Sequence, residues 1–282
     1  MTDITPSDRR GGLNMTDITL QRPRRADFIR GAATAGAGLA LAVAGPKSAA
    51  ADDIVPGHCT DTVPTIVNTA LTAERLAATF YYTTLTTPAV MRDIRLGGRY
   101  IHPNAARPRP SGNSHHVRYL QAALDAEAKH AALLVGEGAA SPVERFHFPT
   151  ATFARLGTLA DRESLLGMLE TLETAFVDAY AVAMSQLLQL GHGALAGTMA
   201  RIMGVEAEHR ALGRAIAGVT PANNLTIEAT PYACVSDVGA ALRPFVTGHG
   251  FSGATRAISV PTAAQIARVV GPYGTRLVKT FR

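Results

Sequence analysis

Two short segments place a carboxylate and an imidazole three residues apart inside runs that read as helix. They are Glu127 and His130 in Asp125-Ala-Glu-Ala-Lys-His-Ala131, and Glu206 and His209 in Met203-Gly-Val-Glu-Ala-Glu-His-Arg-Ala-Leu212. Residues at i and i+3 share a helical face, so each pair aims an anionic oxygen and an imidazole nitrogen the same way. Two such pairs on two long helices point to a metal cage. A third copy of the spacing, Glu144-Arg-Phe-His147, lies between Pro142 and Pro149 in a stretch without helical period. Outside a helix that spacing does not bring two side chains together, so this copy is a chance match.

Four amphipathic runs must carry the ligands. From Val63 to Leu85 the stripe is Val67, Ala70, Ala77, Tyr81 and Leu85, with Glu74 inside it and Pro88 ending the run. A Gly-, Pro- and Arg-rich loop from Arg92 to Gly112 follows, with Arg92, Arg95, Arg99, Arg107 and Arg109 read as solvated surface. The second helix is expected from Ser114, as N-cap, to Val135, with the stripe Val117, Leu120, Leu124, Glu127, Ala131 and Leu134. Gly136 to Ala160 reads as loop. The third helix is expected from Asp161, as cap, to Leu190, with Leu166, Leu169, Glu173, Phe176, Tyr180 and Leu187 inward and Gly191 at its end. The fourth, Gly193 to Ala217, faces Met199, Ile202, Glu206, His209, Gly213 and Ile216 to the core, and Gly218 and Pro221 stop it. Glu170 and Glu208 are expected to be exposed or beside the ligands. His115 and His116 read as a polar helix entrance, and His58 and His102 as loop residues.

Each helix thus puts a Glu where the pattern requires an apolar residue. Burying one unpaired carboxylate costs several kcal/mol, and four together also repel one another. They could be protonated or paired with cations, but the stripes contain no Lys or Arg to pair with them; alternatively they bind metal, with the two imidazoles as further ligands. Glu74 and Glu173 are each followed seven residues later by a tyrosine, Tyr81 and Tyr180. The order is therefore Glu…Tyr, Glu-x-x-His, twice over, as two similar hairpins in tandem. Two turns along the same face, each tyrosine is placed to hydrogen-bond a ligand carboxylate or to sit beside the metals.

On these residues the segment 63–217 resembles the ferritin-like superfamily, in particular its exported ferritin-like domain proteins, relatives of the plant desiccation-related proteins. Glu173…Ala-Tyr180 and Ile202-Met-Gly-Val-Glu-Ala-Glu-His209 carry the likeness most closely. The resemblance implies an all-α fold: a ferritin-like four-helix bundle with a long crossover, and a C-terminal tail with short helices. It implies metal ligands Glu74, Glu127, His130, Glu173, Glu206 and His209, with Glu127 and Glu206 bridging two metals. Thr79 stands where relatives often have another acid.

The chain has 282 residues, 47% of them hydrophobic and only 17% charged, which suits a well-buried core. Its net charge of +5 does not indicate nucleic acid. Seven basic and four acidic residues precede Ala51, so the 20 basic and 18 acidic residues that remain leave +2. That leader pairs Arg24-Arg25 with a short, weakly apolar run from Gly31 to Gly45 and small residues at Ser48-Ala-Ala-Ala51. It reads as a secretory signal and resembles the twin-arginine type, the alternatives being an uncleaved anchor or a general secretory signal. The run is shorter than the roughly 20 residues a membrane span needs, so no stable span is expected after cleavage. Met1-Thr-Asp-Ile-Thr5 recurs at Met15-Thr-Asp-Ile-Thr19, which marks Met15 as an alternative start. The expected organisation is residues 1–51 as a disordered N-terminus with signal, 52–219 as the bundle, and 220–282 as an extension packing on the bundle or a partner. Within that extension Ser236 to Val246 and Thr262 to Val270 read as short amphipathic helices, separated by the Gly-rich Thr247 to Gly253. The two cysteines, Cys59 and Cys234, flank the helical core, and in an oxidising compartment they are candidates for one disulfide.

Two function classes follow. One is an exported dimetal oxidoreductase holding two Fe or Mn ions and reacting with a small oxidant such as dioxygen or peroxide, with Tyr81 and Tyr180 supplying protons or radicals. Oxygen-rich ligands with only two imidazoles suit Fe or Mn better than Zn or Cu. The other is a non-enzymatic stress or envelope-protection protein that keeps the fold. Self-association into a homo-oligomer is open in either class.

Overall fold

In the computed structural model the described residues are 59–96, 115–225 and 230–275. The leader, Ser114, His58, His102, Arg99, Arg107 and Arg109 lie outside them. The elements are α1 (Val63–Thr86), α2 (Pro88–Met91), α3 (His115–Gly136), β1 (Arg145–Pro149), α4 (Leu165–Gln189), α5 (Gly193–Ile216), α6 (Val235–Thr247), β2 (Thr255–Ser259) and α7 (Ala263–Val270). The fold is all-α. No helix among the described residues is long and apolar enough to cross a membrane.

The long helices start and stop for local reasons. Thr62 caps α1 by accepting from the Thr65 amide, and Pro64 sits where a missing N–H costs nothing. The third long helix begins later than Asp161: Ser164 is the cap, accepting from the Gly167 amide. The chain from Asp161 folds back over that first turn, and a Cβ on Gly167 would meet the Asp161 carbonyl at 2.0 Å. Asp161 to Glu163 therefore precede the helix, and glycine at 167 lets them lie against its first turn. Gly191, with φ +80°, turns the chain between α4 and α5. Pro88 does end α1, yet it also opens the one-turn α2.

Side-chain pairing defines the topology. Glu74 meets Tyr180 and Tyr81 meets Glu173, so α1 and α4 run antiparallel. His130 meets Glu206 and Glu127 meets His209, so α3 and α5 do too. With the α4–α5 turn short, the connection from α3 to α4 must travel the length of the bundle, about 36 Å for 24 residues at 1.5 Å each. This is the long crossover. Every predicted stripe residue is buried except Ala131, which is half-buried. At the α4–α5 contact a Cβ on Gly213 would lie 2.8 Å from a Leu169 methyl, so glycine lets the two helices close.

The crossover is not wholly irregular. Arg145–Pro149 pairs antiparallel with Thr255–Ser259, with Phe146 opposite Ile258. Phe146 and Phe148 alternate inward, and Phe148 packs against Phe80, Phe153 and Phe245 at ring separations of 6.0, 5.3 and 5.7 Å. A two-stranded ribbon is marginal alone and here stands on that aromatic cluster. β1 lies within the segment that reads as loop from sequence, because it is short and its partner lies over a hundred residues away.

The C-terminal segment packs on the bundle. Val238, Leu242 and Phe245 of α6 and Ile266, Val269 and Val270 of α7 join the same apolar cluster as α1, α3 and α4. The start of α6 is clamped: Asp61 accepts from Gln186 and from the Ser236 amide, and Gln186 accepts from the Val235 amide. Cys59 and Cys234 form a disulfide there, with Cα atoms 5.6 Å apart. Because this bond closes a very long loop, Cys59→Ser with Cys234→Ser is expected to lower stability by about 2–5 kcal/mol. Denaturant titration of oxidised parent and double variant measures it; coincident curves would remove the disulfide from the account of how α6 is held.

Candidate metal centre

The apolar core is divided into two clusters, one around Phe80, Leu120 and Leu169, the other around Leu71, Leu134 and Met199. Between them lies a layer of Glu74, Glu127, His130, Glu173, Glu206 and His209, one or two from each long helix. All six residues singled out from the sequence converge here. The four carboxylates are 0–2% exposed, and the side chains of His130 and His209 12% and 8%.

They form two overlapping groups, Glu74–Glu127–His130–Glu206 and Glu127–Glu173–Glu206–His209, each with ligand atoms within 4.8 Å of one another. The shared members are Glu127 and Glu206. Glu127 lies 3.7 Å from His130 Nδ1 through Oε2 and 2.7 Å from His209 Nδ1 through Oε1. Glu206 lies 3.4 Å from His130 Nδ1 through Oε1 and 3.6 Å from His209 Nδ1 through Oε2. Each of these carboxylates therefore offers one oxygen to each group. Glu74 Oε2 completes the first, 3.3 Å from His130 Nδ1.

The tyrosines cross over. Tyr81 of α1 donates to Glu173 Oε1 of α4 at 2.6 Å, and Tyr180 of α4 donates to Glu74 Oε1 of α1. Seven-residue spacing on one helix placed them at the right level; their partners sit on the other hairpin. Each bond occupies one oxygen of its carboxylate and leaves the second, Glu173 Oε2 or Glu74 Oε2, without a hydrogen-bond donor. Both oxygens of Glu127 and Glu206 and the Nδ1 atoms of both histidines also lack hydrogen bonds of proper geometry, close as they are. Eight buried polar atoms left this way in one layer would be very costly unless a cation completes them. The donor set, four carboxylates and two imidazoles, suits metal ions.

Taken by themselves, the six groups perturb one another. Burial, then the charges of Glu127 and Glu206, push the Glu74 carboxyl well above its usual range. Burial and then Glu206 do the same to Glu173. Burial alone would also raise Glu127, but the adjacent His209 and His130 hold it below the ordinary range. For both imidazoles burial works against the charged form, and the surrounding carboxylates overcome it, raising them. Burial and then Glu173 raise the Tyr81 phenol, as burial and then Glu74 raise Tyr180.

Other candidates separate from the layer. Glu170 pairs with Arg214 at 2.8 Å, and Glu208 is exposed. Glu144 immediately precedes β1, His147 is the middle residue of that strand, and neither belongs to either group. His115 is exposed at the entrance of α3, and His116 Nδ1 lies 2.7 Å from the Arg95 carbonyl. Arg95 itself forms a fork with Asp93. One correction concerns cations in the core: Arg210, beside His209, is buried, as is Asp178. Its position four residues after Glu206 on a helix was the available signal.

Tyr81→Phe and Tyr180→Phe are each expected to weaken metal binding about 10–100-fold, the usual effect of losing a group that orients a ligand. The number of ions held at saturation should not change. Titration with Mn(II) followed by equilibrium dialysis reads both; unaltered affinity in the two variants would leave the tyrosines without an orienting role.

A family model described as ferritin-like domain matches residues 62–219. No curated protein and no solved structure matches the chain.

Proposed function

The chain belongs to the ferritin-like domain family, and from that premise we propose that it is an exported dimetal-carboxylate protein that carries out redox chemistry on dioxygen or peroxide. The observation that carries this reading is the division of labour in the layer: Glu127 and Glu206 each turn separate oxygens toward His130 and His209. Bridging carboxylates with one terminal Glu and one His per metal are the ligand set of dimetal carboxylate bundles. Glu74 and His130 would hold one ion and Glu173 and His209 the other, with Fe or Mn the ions suited to such oxygen-rich ligands.

When bound, two redox-active ions would share the electrons that cleavage of an O–O bond takes up. The chain's own contributions are positional and protic. The apolar clusters above and below the layer exclude water, which strengthens every charge interaction inside it. Tyr81 and Tyr180 keep their phenolic protons and stand ready to pass one to a reduced oxygen through Glu173 and Glu74. The twin-arginine-like leader supports export, and the disulfide suits an oxidising compartment.

The test is turnover by mature protein expressed in Fe- and Mn-replete medium, read as hydrogen peroxide consumption and as Fe(II) oxidation under dioxygen. Parent activity at least tenfold above Glu127→Ala and His209→Ala is the expected result. Equal rates in parent and variants would rule the layer out as the catalyst and favour the non-enzymatic protective role.

A further inference from the structure

Exposed leucine and valine side chains gather at one end of the bundle. The Ala140 amide donates to Asn68 Oδ1 of α1, and Gln186 of α4 donates to Asp61 just ahead of α1. The end of α3, the start of α1 and the end of α4 therefore lie together, and the short turn into α5 follows. Leu133 and Val135 of α3, Leu188 of α4 and Leu190 just past it are each 44–57% exposed there, around a buried cluster that includes Leu134 and Leu187. The same stretches are almost free of charge: in residues 131–141 and 179–200 the one Asp, Glu, Lys or Arg is Glu137. Apolar surface gathered in this way marks a contact with another protein or with a lipid surface.

Backbone chemistry separates those two. The final carbonyls of a helix ordinarily need water or side chains as partners. At the end of α3 the Leu133, Leu134 and Val135 carbonyls accept from the Glu137, Ala139 and Gly138 amides. At the end of α4 the Gln186, Leu187 and Leu188 carbonyls accept from Leu190, His192 and Gly191. Gly138 and Gly191, at φ +88° and +80°, make these reversals without a Cβ penalty. Both helix ends thus close their own polar groups, as entry into a medium without hydrogen-bonding partners demands. A protein partner would be held in register by hydrogen bonds and charges around a rim, and these ends offer few. The course of the chain agrees. Cys59 is held at this end by its bond to Cys234, and the leader's apolar run stops at Gly45. The stretch between Gly45 and Cys59 can reach at most about 50 Å.

We propose that this end of the bundle is a lipid-binding surface, with Leu133, Val135, Leu188 and Leu190 entering the apolar margin of a bilayer. The tether that presents this end to the membrane rests on the reading of the leader as an export signal. The contact itself is made by the mature chain and needs neither leader nor metal. Because apolar area and not charge makes it, neutral and anionic lipid serve alike.

Vesicle flotation tests this. Mature protein lacking the leader is mixed with vesicles of phosphatidylcholine, or of phosphatidylcholine and phosphatidylglycerol in equal parts, and spun through a density gradient. The parent is expected to float with both to within twofold, in low salt and in salt high enough to screen surface charge. Leu188→Ser with Leu190→Ser is expected to lower partitioning at least tenfold. Ile94→Ser, at a 93% exposed site beyond the other end of α1, is expected to leave it unchanged, which separates this end from general stickiness. Should the first double variant fail to fold, Leu133→Ser with Val135→Ser on the other helix decides it. A parent that does not float, binding confined to phosphatidylglycerol and abolished by salt, or equal flotation of parent and double variants overturns the proposal. So does a parent that dimerises through these leucines and does not float. Fractionation of cells expressing the full chain reads export separately: a protein that is not exported yet floats defeats the export reading and upholds the lipid surface.

Discussion

Glu127→Ala and Glu206→Ala are each expected to empty both metal positions, whereas Glu74→Ala or Glu173→Ala should empty only one. The asymmetry follows from membership: Glu127 and Glu206 belong to both groups, and Glu74 and Glu173 to one each. Losing a shared carboxylate removes a ligand from two ions and leaves each with three. It also removes one of four negative charges that balance them. Elemental analysis after dialysis gives the count directly, with two ions per chain expected in the parent. Thermal unfolding gives a second readout, because an ion that binds only the native state stabilises it by about 4 kcal/mol at 1,000 times its dissociation constant. For a domain of this size that is a rise in Tm on the order of 10 °C. The parent should show the rise on adding Mn(II), and Glu127→Ala should show none. Two ions retained in Glu127→Ala would defeat the assignment of that residue as a shared ligand.

The second large effect is a change in pH dependence on metal removal. In the metal-free chain Glu74 and Glu173 have folded-state pKa values above the ordinary carboxylate range, and His130 and His209 above the ordinary imidazole value. Each of the four binds its proton more tightly folded than unfolded. Their stabilisation is complete below the unfolded pKa values, about 4.3 for Glu and 6.5 for His, and is lost as pH climbs through the folded ones. Glu127 works in the opposite sense, since its folded pKa is depressed. Its contribution is present above the ordinary carboxylate range and disappears as pH falls below it. The metal-free protein should therefore be most stable in weak acid and weaken steadily from pH 6 to 9. Each tightly held proton contributes up to about 1.4 kcal/mol per pH unit. Metal uptake must expel these protons, so affinity should rise with pH and the loaded protein should lose the alkaline decline. Denaturant titrations of EDTA-treated and Mn(II)-loaded protein across that range measure both slopes. Stability of the metal-free form that climbs with pH would contradict the arrangement of charges described for the layer.

Much of this was legible in the chain because helix periodicity converts spacing into direction. Glu74, Glu127, Glu173 and Glu206 each interrupt an apolar stripe, and a stripe in a bundle can face only the core, so their burial together was determined before any tertiary contact was known. The same logic separated Glu127 and His130 from the chance pair Glu144 and His147, whose spacing lacks a helix to give it direction. Contacts between distant segments were not legible in this way. Periodicity says that Tyr81 shares a face with Glu74 and Tyr180 with Glu173; only the antiparallel packing of α1 on α4 decides that Tyr81 bonds Glu173 and that Tyr180 bonds Glu74. The pairing of Arg145–Pro149 with Thr255–Ser259, the disulfide between Cys59 and Cys234, and the seating of α6 over the α1–α4 seam are of the same kind. Each joins residues distant in the chain, from 49 positions for Gln186 and Val235 to 175 for the disulfide, where local preference is silent and burial of the combined surface makes the choice. The sequence alone determined the buried ligand layer; its crossed hydrogen bonds and its cover were decided by packing.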